Sequence, residues 1–420
     1  MQGYESYKPS GIPWVGDIPS HWGIKKNKFL FSERKAVVGK DAPKFKLLSL
    51  TLQGVILRDM ENPKGKFPAE FDTYKQVSPD DLVFCLFDVE ETPRTVGLAK
   101  HYGMITGAYT VTRCNENVSS AFLYYYYLSL DQGKRLRSLY TGLRNVITRD
   151  IFFSLATPFP PREEQDRIVA FLDQKVGEID TAIAKKERLI ELLKEEKSVL
   201  IKTAVFGMNS AECNHVSAIP WVEKLPRHWG AKRAKYLFRQ SRLPVKPSHE
   251  VVTAYRDGEV TLRSNRRLDG YTFAVLEQGY QGVRPGQLVI NSMDAFAGAI
   301  GVSDSEGKCS PEYVVCDAIN DSEISPCFAA LVLRQMALSG YIEVICSAVR
   351  QRALRIRFND FAPLLLPVPP INQQHAIVKL VEEIQAHHEV LVQQLRREIE
   401  SLKEFQRGVV ARVVTGQIRV

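Results

Sequence analysis

No run of about 18 apolar residues, the least that a membrane-spanning helix needs, occurs anywhere in the 420 residues. The opening Met-Gln-Gly-Tyr-Glu-Ser-Tyr-Lys carries no apolar signal core. The chain is therefore expected in the cytoplasm. Its seven cysteines, Cys85, Cys114, Cys213, Cys309, Cys316, Cys327 and Cys346, form no Cys-x-x-Cys pair, and their odd number and scatter predict free thiols in a reducing compartment. Cys213-x-His215 has no second ligand pair near it, so no metal site is expected. Signatures of catalysis are absent too. There is no Gly-x-x-x-x-Gly-Lys-Ser/Thr phosphate loop, no Asn-Pro-Pro-Tyr/Phe, no His-Glu-x-x-His and no Gly-rich turn after a strand. Acid clusters such as Glu195-Glu196-Lys197 fall on a helical stretch, where a solvated face explains them. These absences exclude a membrane protein, a disulfide scaffold, an ATP motor and the common transferases. No catalytic residue is predicted.

What is present is ordinary in bulk: 45% hydrophobic and 25% charged residues, the composition of a globular protein of two or three domains. The location of charge is more informative. The net charge is +8, yet Arg162–Lys202 holds 9 basic and 10 acidic residues and Lys379–Arg412 holds 6 and 6. The surplus thus lies entirely outside these two stretches, in parts that would suit a polyanion.

Both neutral stretches read as long helices. From Pro160-Pro161-Arg162-Glu163-Glu164-Gln165 to Gly207 the chain has no further proline, and apolar residues recur on a seven-residue grid. One row is Val169, Val176, Ile183 and Ile190, and the other is Leu172, Ile179, Leu193 and Leu200. This 3-then-4 spacing predicts a helix that buries a narrow seam against another helix, roughly 65 Å long. The partner follows Pro369-Pro370-Ile371-Asn372-Gln373-Gln374 and ends at Gly416, with seam residues Val378, Val381, Val392, Leu395, Ile399, Leu402 and Val409. Gln385 and His388 interrupt it, either fixing its register or facing water at a frayed crossing.

The two helices belong to an internal duplication. Ile12-Pro13-Trp14 through His21-Trp22-Gly23 returns as Ile219-Pro220-Trp221 through His228-Trp229-Gly230, and the helices superimpose with Gln165 on Gln374 and Gly207 on Gly416. His21 and His228 have no recurring carboxylate in sequence to make a dyad, so a structural role is expected, with the tryptophans pinning an extended arm to its domain. The predicted boundaries are 1–160 for a first globular unit, 161–207 for the central helix and 208–216 for a linker. A second unit covers 217–369, and the C-terminal helix and tail cover 370–420.

Within the first unit, Phe45–Leu50, Asp81–Leu86 and Gly107–Thr112 read as strands, and Ser120 to Leu139 reads as a helix. The fold class expected is α+β: two tandem globular units, each followed by a long α-helix. The helices pack as an antiparallel coiled coil with pseudo-two-fold symmetry. The seam is expected at Leu172, Val176, Ile179, Ile183, Ile190, Leu193, Val392, Leu395, Ile399 and Leu402. The frame repeats, but exposed stretches diverge. Gly54–Lys66 in the first half answers Ala254–Arg267 in the second. Candidate DNA contacts are Arg58, Lys64, Lys66 and Arg94 in the first half. In the second they are Arg256, Arg263, Asn265, Arg266 and Arg267, near Tyr255 and Tyr271, with Arg350 and Arg352 beside Arg355 and Arg357. Arg forks suit guanine and Asn suits adenine in the major groove, while the second run suits phosphates.

This pattern resembles the specificity subunit of Type I restriction-modification systems over nearly the whole chain. The likeness is carried by Pro158-Phe159-Pro160-Pro161-Arg162-Glu163-Glu164-Gln165, by its echo Pro367-Val368-Pro369-Pro370-Ile371-Asn372-Gln373-Gln374, and by Ser310-Pro311-Glu312-Tyr313. Gln373 stands where the family usually has Glu. The resemblance implies that each globular unit is a target-recognition domain reading one half of a split, asymmetric site on double-stranded DNA. The helices would set the spacer and dock two modification subunits that methylate adenine with S-adenosylmethionine. Two restriction subunits using ATP and Mg could join. The chain itself would need no cofactor and would not be an enzyme. A coiled-coil assembly scaffold and a stand-alone DNA-acting enzyme are the alternative readings.

Overall fold

The computed structural model describes residues 2–59, 70–140, 145–208, 215–266, 279–345 and 355–420. The chain divides into two compact units: Met1–Glu187 with Leu395–Val420, and Arg188–Gln394. These differ from the boundaries expected from sequence, because each unit takes one half of both long helices.

Each unit opens on an arm. In the first, Tyr7–Pro9 pairs with Asp17–Pro19, and Gly23–Lys26 pairs antiparallel with Ala156–Phe159, the strand that leads into the central helix. The second repeats this with His215–Val216 on Lys224–Leu225, and Gly230–Arg233 on Leu365–Val368. The main sheet of the first unit runs Phe31–Glu33, Thr110–Cys114, Leu82–Phe84, Val96–Leu98 in spatial order. That of the second runs Phe238–Gln240, Tyr313–Ala318, Leu288–Asn291, Ile300–Val302. Every neighbouring pair in both is antiparallel. A helix covers each sheet, Ser120–Gln132 or Pro326–Leu338. Each is started by a serine, Ser119 or Ser325, whose hydroxyl accepts from the backbone N–H three residues on. The helix expected to reach Leu139 stops at Gln132. Lys134 there takes a left-handed φ of 48°, and the chain continues as a 3-10 turn over Arg135–Leu139.

The core of the first unit is aromatic: Phe31, Phe84, Tyr127 and Phe152 are buried with ring centroids 4.8 to 6.3 Å apart. The second is mainly aliphatic around Leu288, Ile290, Val314 and Leu333. One buried pair shows how the halves diverged. In the first, Arg34 Nε stands 2.8 Å from the fully buried Asp81, whose other task is to accept from Ser78 N–H at 2.7 Å. In the second, Ser241 and Gln287 hold these places. Gln287 accepts from Arg284 N–H at 2.9 Å and donates to Ser241 Oγ at 2.8 Å. A charged pair has been replaced by a neutral one that keeps the same turn.

The long helices span Arg162–Val205 and Ile371–Val414, 44 residues each. Each ends at a glycine in the left-handed region, Gly207 (φ 61°) and Gly416 (φ 74°). A Cβ there would lie 2.8 Å from Pro226 Cγ or 2.3 Å from Pro19 Cδ, so glycine is required twice over.

Candidate nucleic-acid interface and helix seam

The Pro-Pro-x-x-Glu-Gln run is a latch between each long helix and its globular unit. Gln165 is fully buried. Its amide donates to Pro160 O at 2.9 Å and its carbonyl accepts from Ser119 N–H at 2.8 Å, so one side chain ties the start of the long helix to the start of the sheet-covering helix. Gln374 does the same with Pro369 O and Ser325 N–H, both at 2.8 Å. Beside it, Glu164 is buried and receives hydrogen bonds from Tyr4 Oη and from Trp22 Nε1 (3.1 Å), with His21 Nε2 at 2.8 Å. Burial alone would raise its carboxyl. The bonds from Tyr4, His21 and Trp22 outweigh this and hold it below the ordinary carboxylate value. Desolvation and the same contact raise the Tyr4 phenol. His21 therefore does face a carboxylate, one that lies 143 positions away in sequence. In the second unit Gln373 takes its place, 3.1 Å from both His228 Nε2 and Trp229 Nε1. The tryptophans pin the arms as expected.

All ten predicted seam residues are buried or half-buried: Leu172, Ile179, Ile190, Val392 and Ile399 are buried, and Val176, Ile183, Leu193, Leu395 and Leu402 partly so. In the first unit Asp180 meets Gln406 and Lys186 meets Glu398, so the helix halves run antiparallel. In the second, Glu196 stands 3.5 Å from His388. Leu200, expected in the seam, is exposed. A straight helix drifts off a seven-residue grid, and the buried stripe moves on to Ile201, Ala204 and Val205. Of the two polar interruptions, Gln385 faces solvent. His388 is buried and donates from Nδ1 to Ile384 O at 2.9 Å.

The candidate cations fall into three groups. Lys64, Lys66, Arg267, Arg350 and Arg352 lie outside the described residues, as does Tyr271. In the first unit, Arg58 is half-buried at the end of the Gly54–Leu57 strand, and Arg94 donates to Leu52 O at 2.9 Å. In the second, the structure gathers Arg256, Arg263, Asn265 and Arg266 around one hairpin, Val252–Ala254 with Val260–Leu262. The Arg256 side chain is 67% exposed and pairs with Asp294 at 2.9 Å. Arg266 grips Asp257 with both Nη atoms, at 3.2 and 2.7 Å, and lies over the Tyr255 ring at 4.2 Å. The Asp257 contact raises the Arg266 guanidinium further. Asn265 donates to Thr261 Oγ1 at 2.8 Å, and Arg263 is half-buried at the strand end. Arg355 pairs with Glu312 of the Ser310–Tyr313 run.

These arginines are aimed by neighbouring acids rather than left free, which fixes their forks before any polyanion arrives. Sequence reading missed Arg334. It is buried on the Pro326–Leu338 helix and donates from Nη1 to Arg256 O (3.2 Å) and Gly298 O (2.6 Å), holding the hairpin to the unit. Its position one helix turn after Ala330 and Leu331, in an apolar segment, was the only signal.

No family model matches the chain. Among curated proteins it is 21% identical to the EcoBI specificity subunit of a Type I restriction enzyme of Escherichia coli, over 62% of this chain and 58% of that protein. It is 20% identical to the EcoKI specificity subunit of E. coli K12, over 82% of this chain and 76% of that protein. The match to the first thus spans well under two thirds of the relative's length. Among solved structures, the HsdS subunit of Thermoanaerobacter tengcongensis aligns with a TM-score of 0.52 at 17% identity, over 96% of this chain and 98% of that one. A chain from a structure of a type I R-M system, solved for its assembly and conformational transition, aligns with a TM-score of 0.63 at 16% identity, over 96% and 99%. By sequence over most of its length, and by fold over nearly all of it, the chain is similar to the specificity subunits of Type I restriction enzymes.

Proposed function

We propose that the chain is the DNA-recognition subunit of a Type I restriction-modification complex, with each globular unit reading one half of a split, asymmetric site. One observation carries this reading. The buried frame of the two units repeats residue for residue, while the exposed hairpin that bears Arg256 and Arg266 has no counterpart in the first unit's sequence. A frame kept while its outward turns diverge suits two readers of different half-sites. Methylation of adenine and ATP-dependent cutting belong to partner subunits, two modification subunits and two restriction subunits. S-adenosylmethionine, ATP and Mg act there. The basic surplus outside the helices supplies affinity for the phosphate backbone. The test is a genome-wide map of methyladenine in the host with the gene intact and deleted. One bipartite motif should lose methylation on deletion. An unchanged map with the partner subunits expressed refutes the reading.

A further inference from the structure

The duplication leaves one difference that recognition does not account for. In the first unit the joint between arm and long helix is plugged. The Tyr4 ring lies 6.1 Å from that of Trp22 and 5.6 Å from that of His21, its hydroxyl bonds to Glu164, and Trp22 is completely buried. The second unit builds the same joint from Gly207, Pro226, His228, Trp229 and Gln373. Here it encloses a cavity of about 300 Å³ instead. Its walls explain the space. Ala376 stands where the first unit has Arg167, and Leu380, 42% exposed at the rim, where it has Phe171. The sequence that answers Gln2–Tyr7 is Asn209-Ser210-Ala211-Glu212-Cys213-Asn214, which offers alanine in the place of Tyr4 and no aromatic residue at all. The chain thus keeps the socket and has given up the plug.

We propose that this cavity receives a tyrosine side chain from a partner polypeptide, seated as Tyr4 is seated in the first unit. The internal copy shows the occupant's shape, a ring edge-on to the tryptophan with its hydroxyl at the start of the long helix. The change from Glu164 to Gln373 fits a site that exchanges its occupant. An open pocket holding a carboxylate would have to strip it of water each time a ring entered, whereas an amide costs far less to cover. Gln373 Oε1 already faces Trp229 and His228, and its amide N–H donates to no group among the described residues, so it is available to the incoming phenol oxygen. The proposal depends on the reading above only for which protein supplies the tyrosine.

The indole N–H of Trp229 bonds to Gln373 and reports on the cavity directly. In the full-length chain its NMR signal, assigned with Trp229→Phe, is followed while the peptide Gln-Gly-Tyr-Glu-Ser-Tyr-Lys-Pro is added. The signal should move saturably, with a dissociation constant in the millimolar range. It should stay still when the third peptide residue is alanine, and also in the cavity-filling variant Ala376→Trp. No movement up to the solubility limit of the peptide overturns the proposal, as does equal movement with the alanine peptide. In the complex with modification subunits the signal should sit at the peptide-saturated position. A signal left at its free-chain position overturns the proposal even where methylation is normal. Methylation lost with a responsive Trp229 would instead count against the recognition reading alone. Ala211→Tyr should plug the cavity in cis and weaken the partner about tenfold. If the signal shifts with chain concentration and no partner, the occupant is a second copy of this chain and the assignment to a partner fails.

Discussion

At the scale of single residues, the latch glutamines carry more than their number suggests. Gln165→Ala would orphan a buried N–H at Ser119 and a buried C=O at Pro160, which costs about 3 kcal/mol. Urea unfolding should show this loss. Removing the exposed partner Glu191 from Lys194 should change stability by under ~0.5 kcal/mol. Glu164 gives the same region a pH dependence. Its folded value lies below 4.5, so its contribution is complete above that pH and is lost as pH falls through the folded value. Glu164→Gln should therefore lose less stability than the wild type on acidification below 4.5, read as urea midpoints against pH. Equal slopes would remove Glu164 from the account. These roles were only half legible. The repeated Glu/Gln-Gln signature was visible as a motif, but its targets lie 46 to 143 positions away, beyond what local pattern can reveal. The arginines of the Arg256–Arg266 turn were visible as charge. The acids that aim them, Asp257, Glu259 and Asp294, looked like ordinary surface residues.

At the scale of elements, periodicity did most of the work. Both 44-residue helices begin and end where proline and glycine mark them, because helix capping is local chemistry. The strands emerged with ends shifted by a few residues: the run from Phe45 pairs only over Leu48–Thr51, since its first residues belong to a 3-10 turn and its exit. Leu200 was misplaced because a seven-residue grid was extended past the point where the helix turns its stripe toward a globular core. His388 is the remaining polar group in the seam, and a buried polar residue there specifies register at some expense of stability. His388→Leu should raise the thermal midpoint, corresponding to about 1 kcal/mol. A lower midpoint would show that its bonds to Ile384 O and its approach to Glu196 are net stabilising.

At the scale of the molecule, the helices act in the proposed function as a spacer, and that idea has a sharp test. Removing one heptad from each helix, in register across the seam, should change the number of unread bases in the methylated motif and leave both half-sites as they were. Altered half-sites would rule out the ruler. The repeated frame also records how the two halves parted. Arg34 with Asp81 and Ser241 with Gln287 are two solutions of one buried corner, and a lineage moves between them one substitution at a time. Changing Arg34 to Ser first would strand a fully buried carboxylate, a penalty of several kcal/mol. Changing Asp81 to Gln first keeps an acceptor for the turn, and the Arg side chain, 21% exposed, can still reach water. Only the second order avoids an unstable ancestor. If the charged pair came first, glutamine entered the copy before serine did. The corner works as a ratchet: once serine is in place, aspartate cannot return alone.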